Sequence, residues 1–72
     1  MERTEFLEKM QDVLQMDDEL TFDTVLESLA EWDSLAMMAT VAFLDANFGI
    51  KTTFDDFKSM KTVEDIAKKV GI

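Results

Sequence analysis

Proline is absent from this 72-residue chain and glycine occurs only at positions 49 and 71, so little along its length interrupts a helix. Cysteine is absent too, so neither disulfides nor thiolate metal sites can hold the fold together. What remains is packing between helices, and the 47% of residues that are apolar suffice for one small core. The expectation is an all-α fold making a single domain over residues 1–72.

Apolar periodicity predicts three helices and a short fourth. Phe6, Leu7, Met10, Val13 and Leu14 share one face, with Glu5, Glu8, Lys9 and Asp12 opposite, which places a helix at about residues 2–15. Val63, Ile66, Ala67 and Val70 form a second stripe, in a helix over about 62–70. There Thr62 and Asp65 match a capping box and Gly71 suits the C′ position. Thr53 to Phe57 predicts one or two turns with Thr53 as cap and both phenylalanines turned into the core. The connection at about 15–33 is long for a compact domain. Leu20, Phe22, Val25, Leu26 and Leu29 are spaced to pin it down. Its acidic run at 17–19 lacks the ligand alternation, central glycine and closing glutamate of a calcium loop.

The segment from Leu35 to Phe48 is apolar nearly all round. Met37, Val41, Leu44 and Phe48 make one stripe, and Leu35, Met38, Ala42 and Ala46 make another, roughly opposite. A domain of this size has difficulty surrounding one helix completely. We expect the Met37 stripe in the core and the Leu35, Met38, Ala42 stripe at the surface as a contact face for partners.

The formal net charge of −9 is unevenly spread. Residues 1–33 hold eleven Asp or Glu against Arg3 and Lys9, giving 2 − 11 = −9, while the rest holds five of each sign. Such a field repels nucleic acid and steers basic protein surfaces towards the chain. With no His and no Cys, a Ser-His or Cys-His couple cannot be built, and phosphate loops and metal-ligand spacings are also absent. The expectation is a protein that is not an enzyme. The chain shows neither a long apolar run nor a basic leader before a hydrophobic stretch, so a cytoplasmic, monomeric protein without a membrane span is expected.

One motif stands out within this frame. Glu31-Trp32-Asp33-Ser34-Leu35 sets a serine hydroxyl behind an aspartate at the first turn of the most apolar helix. Asp or Ser before an apolar helix is ordinary N-capping. In context, with a small acidic helical domain, a long preceding loop and Phe48-Gly49-Ile50 closing the helix, the chain resembles the acyl carrier protein family over nearly its whole length.

The resemblance implies a small four-helix bundle of acyl-carrier type, three main helices plus a short third one. It implies that Ser34 receives 4′-phosphopantetheine, attached covalently from coenzyme A by a phosphopantetheinyl transferase that uses magnesium, and that Asp33 helps hold the metal and the serine during transfer. A phosphodiester on Ser34 would also sit at a helix N-terminus, where unpaired N–H groups and the positive end of the dipole favour an anion. Leu35 and Met38 match positions that dock the transferase and the enzymes that load or process cargo. Ala39 and Ala42 replace an acidic and a larger apolar residue of typical fatty-acid-synthesis carriers, leaving Asp45 as the acid on this helix, and Trp32 replaces a small or aliphatic residue. The implied function is to hold an acyl intermediate as a thioester and present it to enzymes of fatty acid, polyketide or related biosynthesis, among them an acyl-loading ligase or transferase and a ketosynthase. The departures at Trp32, Ala39 and Ala42 point to a free-standing carrier in a dedicated pathway. Two alternatives stand beside this: an aminoacyl or peptidyl carrier of D-alanyl type, with the same fold and the same Ser34, and an unmodified helical adaptor that binds a partner through its apolar stripe.

Overall fold

Each of the four expected helices is present in the computed structural model, which describes residues 1–72. The first, α1 (Arg3–Leu14), buries Phe6, Met10 and Leu14, spaced four residues apart and therefore on one face. It ends where Gln15 turns left-handed at φ 54°, and the N–H groups of Gln15 and Met16 donate to the carbonyls of Asp12 and Gln11 at 3.1 Å each. The second helix, α2 (Ser34–Phe48), is the longest. It closes at Gly49, whose φ of 67° would strain any residue carrying a Cβ. A single short helix, α3 (Phe54–Lys58), precedes α4 (Val63–Lys69).

All four helices contribute to one core: Phe6, Met10 and Leu14 from α1, Ala36 and Leu44 from α2, Phe57 from α3, and Val63, Ile66 and Ala67 from α4. Phe6 sits centrally, its ring stacked on Phe22 and tilted against Phe43 and Phe48 with centroids 6.0–6.4 Å apart. The outward and inward faces of α2 fall as expected. Leu44 is buried and Met37, Val41 and Phe48 are half-buried against the core, while Leu35 and Met38 are 74% and 58% exposed and Ala42 and Ala46 face solvent. The stripe also includes Thr40, fully buried, whose hydroxyl donates to the Ala36 carbonyl at 2.8 Å. Its hydrogen bond to the preceding turn lets a polar side chain sit there.

The connection between α1 and α2 is ordered by the same core. Leu20 and Leu26 are buried, Phe22 and Leu29 are half-buried, and residues Leu26–Ser28 form one 3₁₀ turn. Its backbone is tied to the start of α4 by a one-residue antiparallel bridge between Val25 and Thr62. The N–H of Leu26 donates to Lys61, while those of Val63 and Glu64, first-turn donors without a partner inside α4, donate to Thr24 and Phe22. Arg3 adds a clamp: its Nη2 donates to both carboxylate oxygens of Glu64 at 2.8 and 2.6 Å, its Nη1 donates to the Ile72 carbonyl, and the guanidinium lies 4.1 Å over the Phe22 ring.

Two expectations are corrected. Val25 does not pin the connection through its side chain, which is 47% exposed; its backbone does so through the bridge. Of the two α3 phenylalanines only Phe57 enters the core, at 2% exposure, whereas Phe54 is 43% exposed. A helix of five residues turns one narrow face inward, and Phe54 at its first position lies at the rim.

Asp65, in the cap of α4, links stability to pH. Its carboxylate accepts from the N–H groups of Lys61 at 2.7 Å and Thr62 at 3.1 Å. These two bonds, first Lys61 and then Thr62, hold its pKa below the ordinary 3.8, with Lys68 and Lys61 adding a smaller push in the same direction. A folded pKa below the unfolded one gives stability that is present above the unfolded value and is lost as pH falls through the folded one. We therefore expect Asp65→Asn to be less stable than wild type in urea at pH 7, with the gap narrowing as the pH falls below the ordinary carboxylate range. Equal curves at pH 7 would show that these bonds contribute nothing net.

Candidate functional site

The first turn of α2 is built by Asp33. Its backbone is extended, at φ −125° and ψ −174°, and its carboxylate Oδ1 accepts from the Ala36 N–H at 2.8 Å while its carbonyl accepts from Met37 at 2.9 Å. This is the N-cap geometry that short acidic side chains favour. It satisfies the donors of the third and fourth helical residues and leaves those of the first two, Ser34 and Leu35, without a partner in the chain. Ser34 is the first residue of the helix and its side chain is exposed. An accessible hydroxyl thus stands beside two unpaired N–H groups at the positive end of a 15-residue helix.

The neighbours of this serine differ on their two sides. Trp32 is half-buried and turns its ring edge-on to Phe57 of α3, with centroids 5.5 Å apart and planes at 89°. It closes the core beneath the α2 start, so the indole belongs as much to the interior as to the surface. On the other side Asp33, Leu35, Ala36 and Ala39 face Val13 and Leu14 at the end of α1 across a cleft of about 310 Å³. Gln15 and Glu31 also line it. Nothing in the sequence pattern brings Val13 and Gln15 to the start of α2. The only local hint is that α1 ends there, and its left-handed terminus is a glutamine where a glycine would have given the turn away.

Of the expected partner residues Leu35, Met38, Ala39, Ala42 and Trp32, the four on α2 come together, exposed along its outward face. The first charge after them is Asp45, already engaged by Lys51 at 3.3 Å. Trp32 stands apart from that face, packed towards α3. No helix of the fold is long and apolar enough to cross a membrane.

No curated protein and no solved structure matches the chain. A family model does: the one described as phosphopantetheine attachment site matches residues 4–70. Spanning as it does all four helices and the connection between α1 and α2, that match shows that the chain belongs to the phosphopantetheine attachment family, whose helical domain takes 4′-phosphopantetheine covalently.

Proposed function

We propose that Ser34 is the residue that takes the phosphopantetheine and that the chain is a carrier of acyl intermediates, of fatty acid, polyketide or related type, rather than an enzyme in its own right. The observation that carries this reading is the exposed Ser34 hydroxyl at the start of α2, beside the unpaired N–H groups of Ser34 and Leu35. A phosphodiester placed there meets donors and a favourable dipole, so the residues present fit the group. When attached, the group supplies the thiol that this sequence lacks and on which cargo is held as a thioester.

The chain's own residues bind and orient. Asp33 holds the first turn through Oδ1, and its second carboxylate oxygen takes no hydrogen bond within the chain, so it can help hold a divalent cation while the serine hydroxyl is modified. Leu35, Met38, Ala39 and Ala42 offer an uncharged face to the phosphopantetheinyl transferase and to the loading and processing enzymes. Loss of water from those side chains drives docking. Trp32 fixes the segment before the serine by packing on Phe57.

Intact mass tests the reading. The protein is incubated with coenzyme A, magnesium and a broad-specificity phosphopantetheinyl transferase, beside Ser34→Ala. We expect one added phosphopantetheinyl group on the wild type and none on the variant, with identical circular dichroism. Modification of Ser34→Ala, or a folded wild type that gains nothing from any transferase tried, would overturn the assignment. The second outcome would favour the adaptor, whose partner binding survives Ser34→Ala.

A further inference from the structure

The apolar face of α2 does not end at the edge of its own helix. Leu35 and Ala39, both exposed on that face, also form one wall of the cleft at the start of α2, and Val13 and Leu14 at the end of α1 form the other. A surface laid along α2 over Leu35 and Ala39 therefore covers the mouth of the cleft and meets α1 as well.

We propose that this cleft is a docking socket for the enzyme that modifies Ser34: an apolar side chain of the phosphopantetheinyl transferase enters it, and a Lys or Arg beside that side chain pairs with Glu31 at the rim. The inference rests on the assignment of Ser34 as the attachment point, because that assignment brings the transferase to the start of α2. The occupant follows from continuity and from charge. Exposed apolar surface that runs into a recess is where an interface concentrates its binding energy, since an anchoring side chain loses its water on all sides there. Leu35 is 74% exposed, so the free protein leaves that surface uncovered.

Charge supplies the second feature of the partner. Glu31 and Asp33 both line the cleft, neither belongs to any of the three ion pairs of the protein, and no cation lines it. Asp33 is committed to capping α2, which leaves Glu31, half-buried, as the free carboxylate of the rim. Apolar walls beside an unpaired carboxylate repel an acidic anchor and favour an apolar side chain with a basic neighbour. The surface that the transferase reads thus extends beyond α2 to the end of α1, and Val13 becomes a recognition residue although it is distant from Ser34 in sequence.

The test uses the full chain and a broad-specificity phosphopantetheinyl transferase in two measurements. In the first, ¹⁵N-labelled Ser34→Ala is titrated with the transferase in the presence of coenzyme A and magnesium, so that a complex forms without reaction. We expect the amide signals of Val13, Leu14, Gln15 and Glu31 to be perturbed together with those of Leu35 and Ala39, while those of Lys58 and Lys61 stay in place. In the second, initial rates of mass gain are followed over a range of carrier concentrations. Val13→Phe, which fills the cleft, is expected to raise KM at least roughly tenfold with kcat within about twofold of wild type. Glu31→Lys, which leaves both apolar walls untouched and guards against Val13→Phe failing to fold, should raise KM by about as much at low salt and by less at high salt.

Perturbations confined to α2, or wild-type KM for folded Val13→Phe, would overturn the socket and leave the Ser34 assignment standing. A wild-type KM for Glu31→Lys beside an impaired Val13→Phe would overturn the pairing with a cation. Mass gained by Ser34→Ala, or none gained by folded wild type, would remove the Ser34 assignment and the socket with it.

Discussion

Phe6→Ala should remove a large share of the protein's stability while leaving a measurable melting transition. Phe6 is fully buried and meets Phe22 of the connection and Phe43 and Phe48 of α2, so its loss empties the point where α1, α2 and the connection join. Truncating a buried phenylalanine costs about 3–5 kcal/mol. A domain of this length, at roughly 0.05–0.15 kcal/mol per residue, has only about 4–11 kcal/mol in total. The melting midpoint is therefore expected to fall by roughly 15–30 °C, read by circular dichroism at 222 nm. Phe54→Ala, at a side chain 43% exposed, is the control and should fall within about 0.5 kcal/mol of wild type. A drop for Phe6→Ala no larger than that of the control would mean the aromatic cluster is not what joins the helices. By setting α1 against α2 the same cluster holds Val13 and Leu14 opposite Ala36 and Ala39 across the cleft at the start of α2.

The placement of the helices was legible in the sequence because spacing alone selects a face. Of the stripes that periodicity puts inward, Phe6, Met10 and Leu14 on α1 and Val63, Ile66 and Ala67 on α4 are buried, while Leu7, Val13 and Val70 are half-buried. Thr53 was readable as a cap for the same reason, its hydroxyl and the Asp56 carboxylate forming a reciprocal pair. Patterning loses its power where apolar residues surround a helix. On α2 the stripes could be drawn but not told apart except by the argument that a small domain cannot cover both, and Thr40 was invisible as a core residue because its polarity is cancelled by a bond to its own helix. Thr52 was no more visible; it is buried with a hydroxyl that has no partner.

The connection was harder still. Its apolar residues predicted that it would be held, but which of them point inward depends on a bridge to Thr62, distant in sequence, and Val25 therefore came out on the surface. Site legibility followed the same division. The Asp33-Ser34-Leu35 turn is local, and its cap, exposed serine and unpaired N–H groups can be inferred from residue types. The packing of Trp32 on Phe57 and the cleft formed with α1 are tertiary, and no periodicity within one segment reports them.

Asp33 has two candidate roles that one substitution cannot separate and two can. As N-cap it accepts from the Ala36 N–H at 2.8 Å, a role asparagine fills about as well because its side-chain oxygen is placed alike. As a carboxylate it carries the charge that would help hold magnesium while Ser34 is modified, and asparagine lacks that charge. We expect Asp33→Asn to melt within a few degrees of wild type yet to gain phosphopantetheine at least roughly tenfold more slowly, the scale on which supporting groups around a catalytic metal act. Asp33→Ala should lose both properties, with about 1 kcal/mol of stability gone and the midpoint down by roughly 4–8 °C. Modification rates at saturating coenzyme A, followed by intact mass over a series of magnesium concentrations, separate the cases. A slow Asp33→Asn partly restored by more magnesium places the carboxylate at the metal. A variant modified at the wild-type rate would confine Asp33 to capping, and the selectivity for Ser34 would then rest on the helix N-terminus and on the apolar face formed by Leu35, Met38, Ala39 and Ala42.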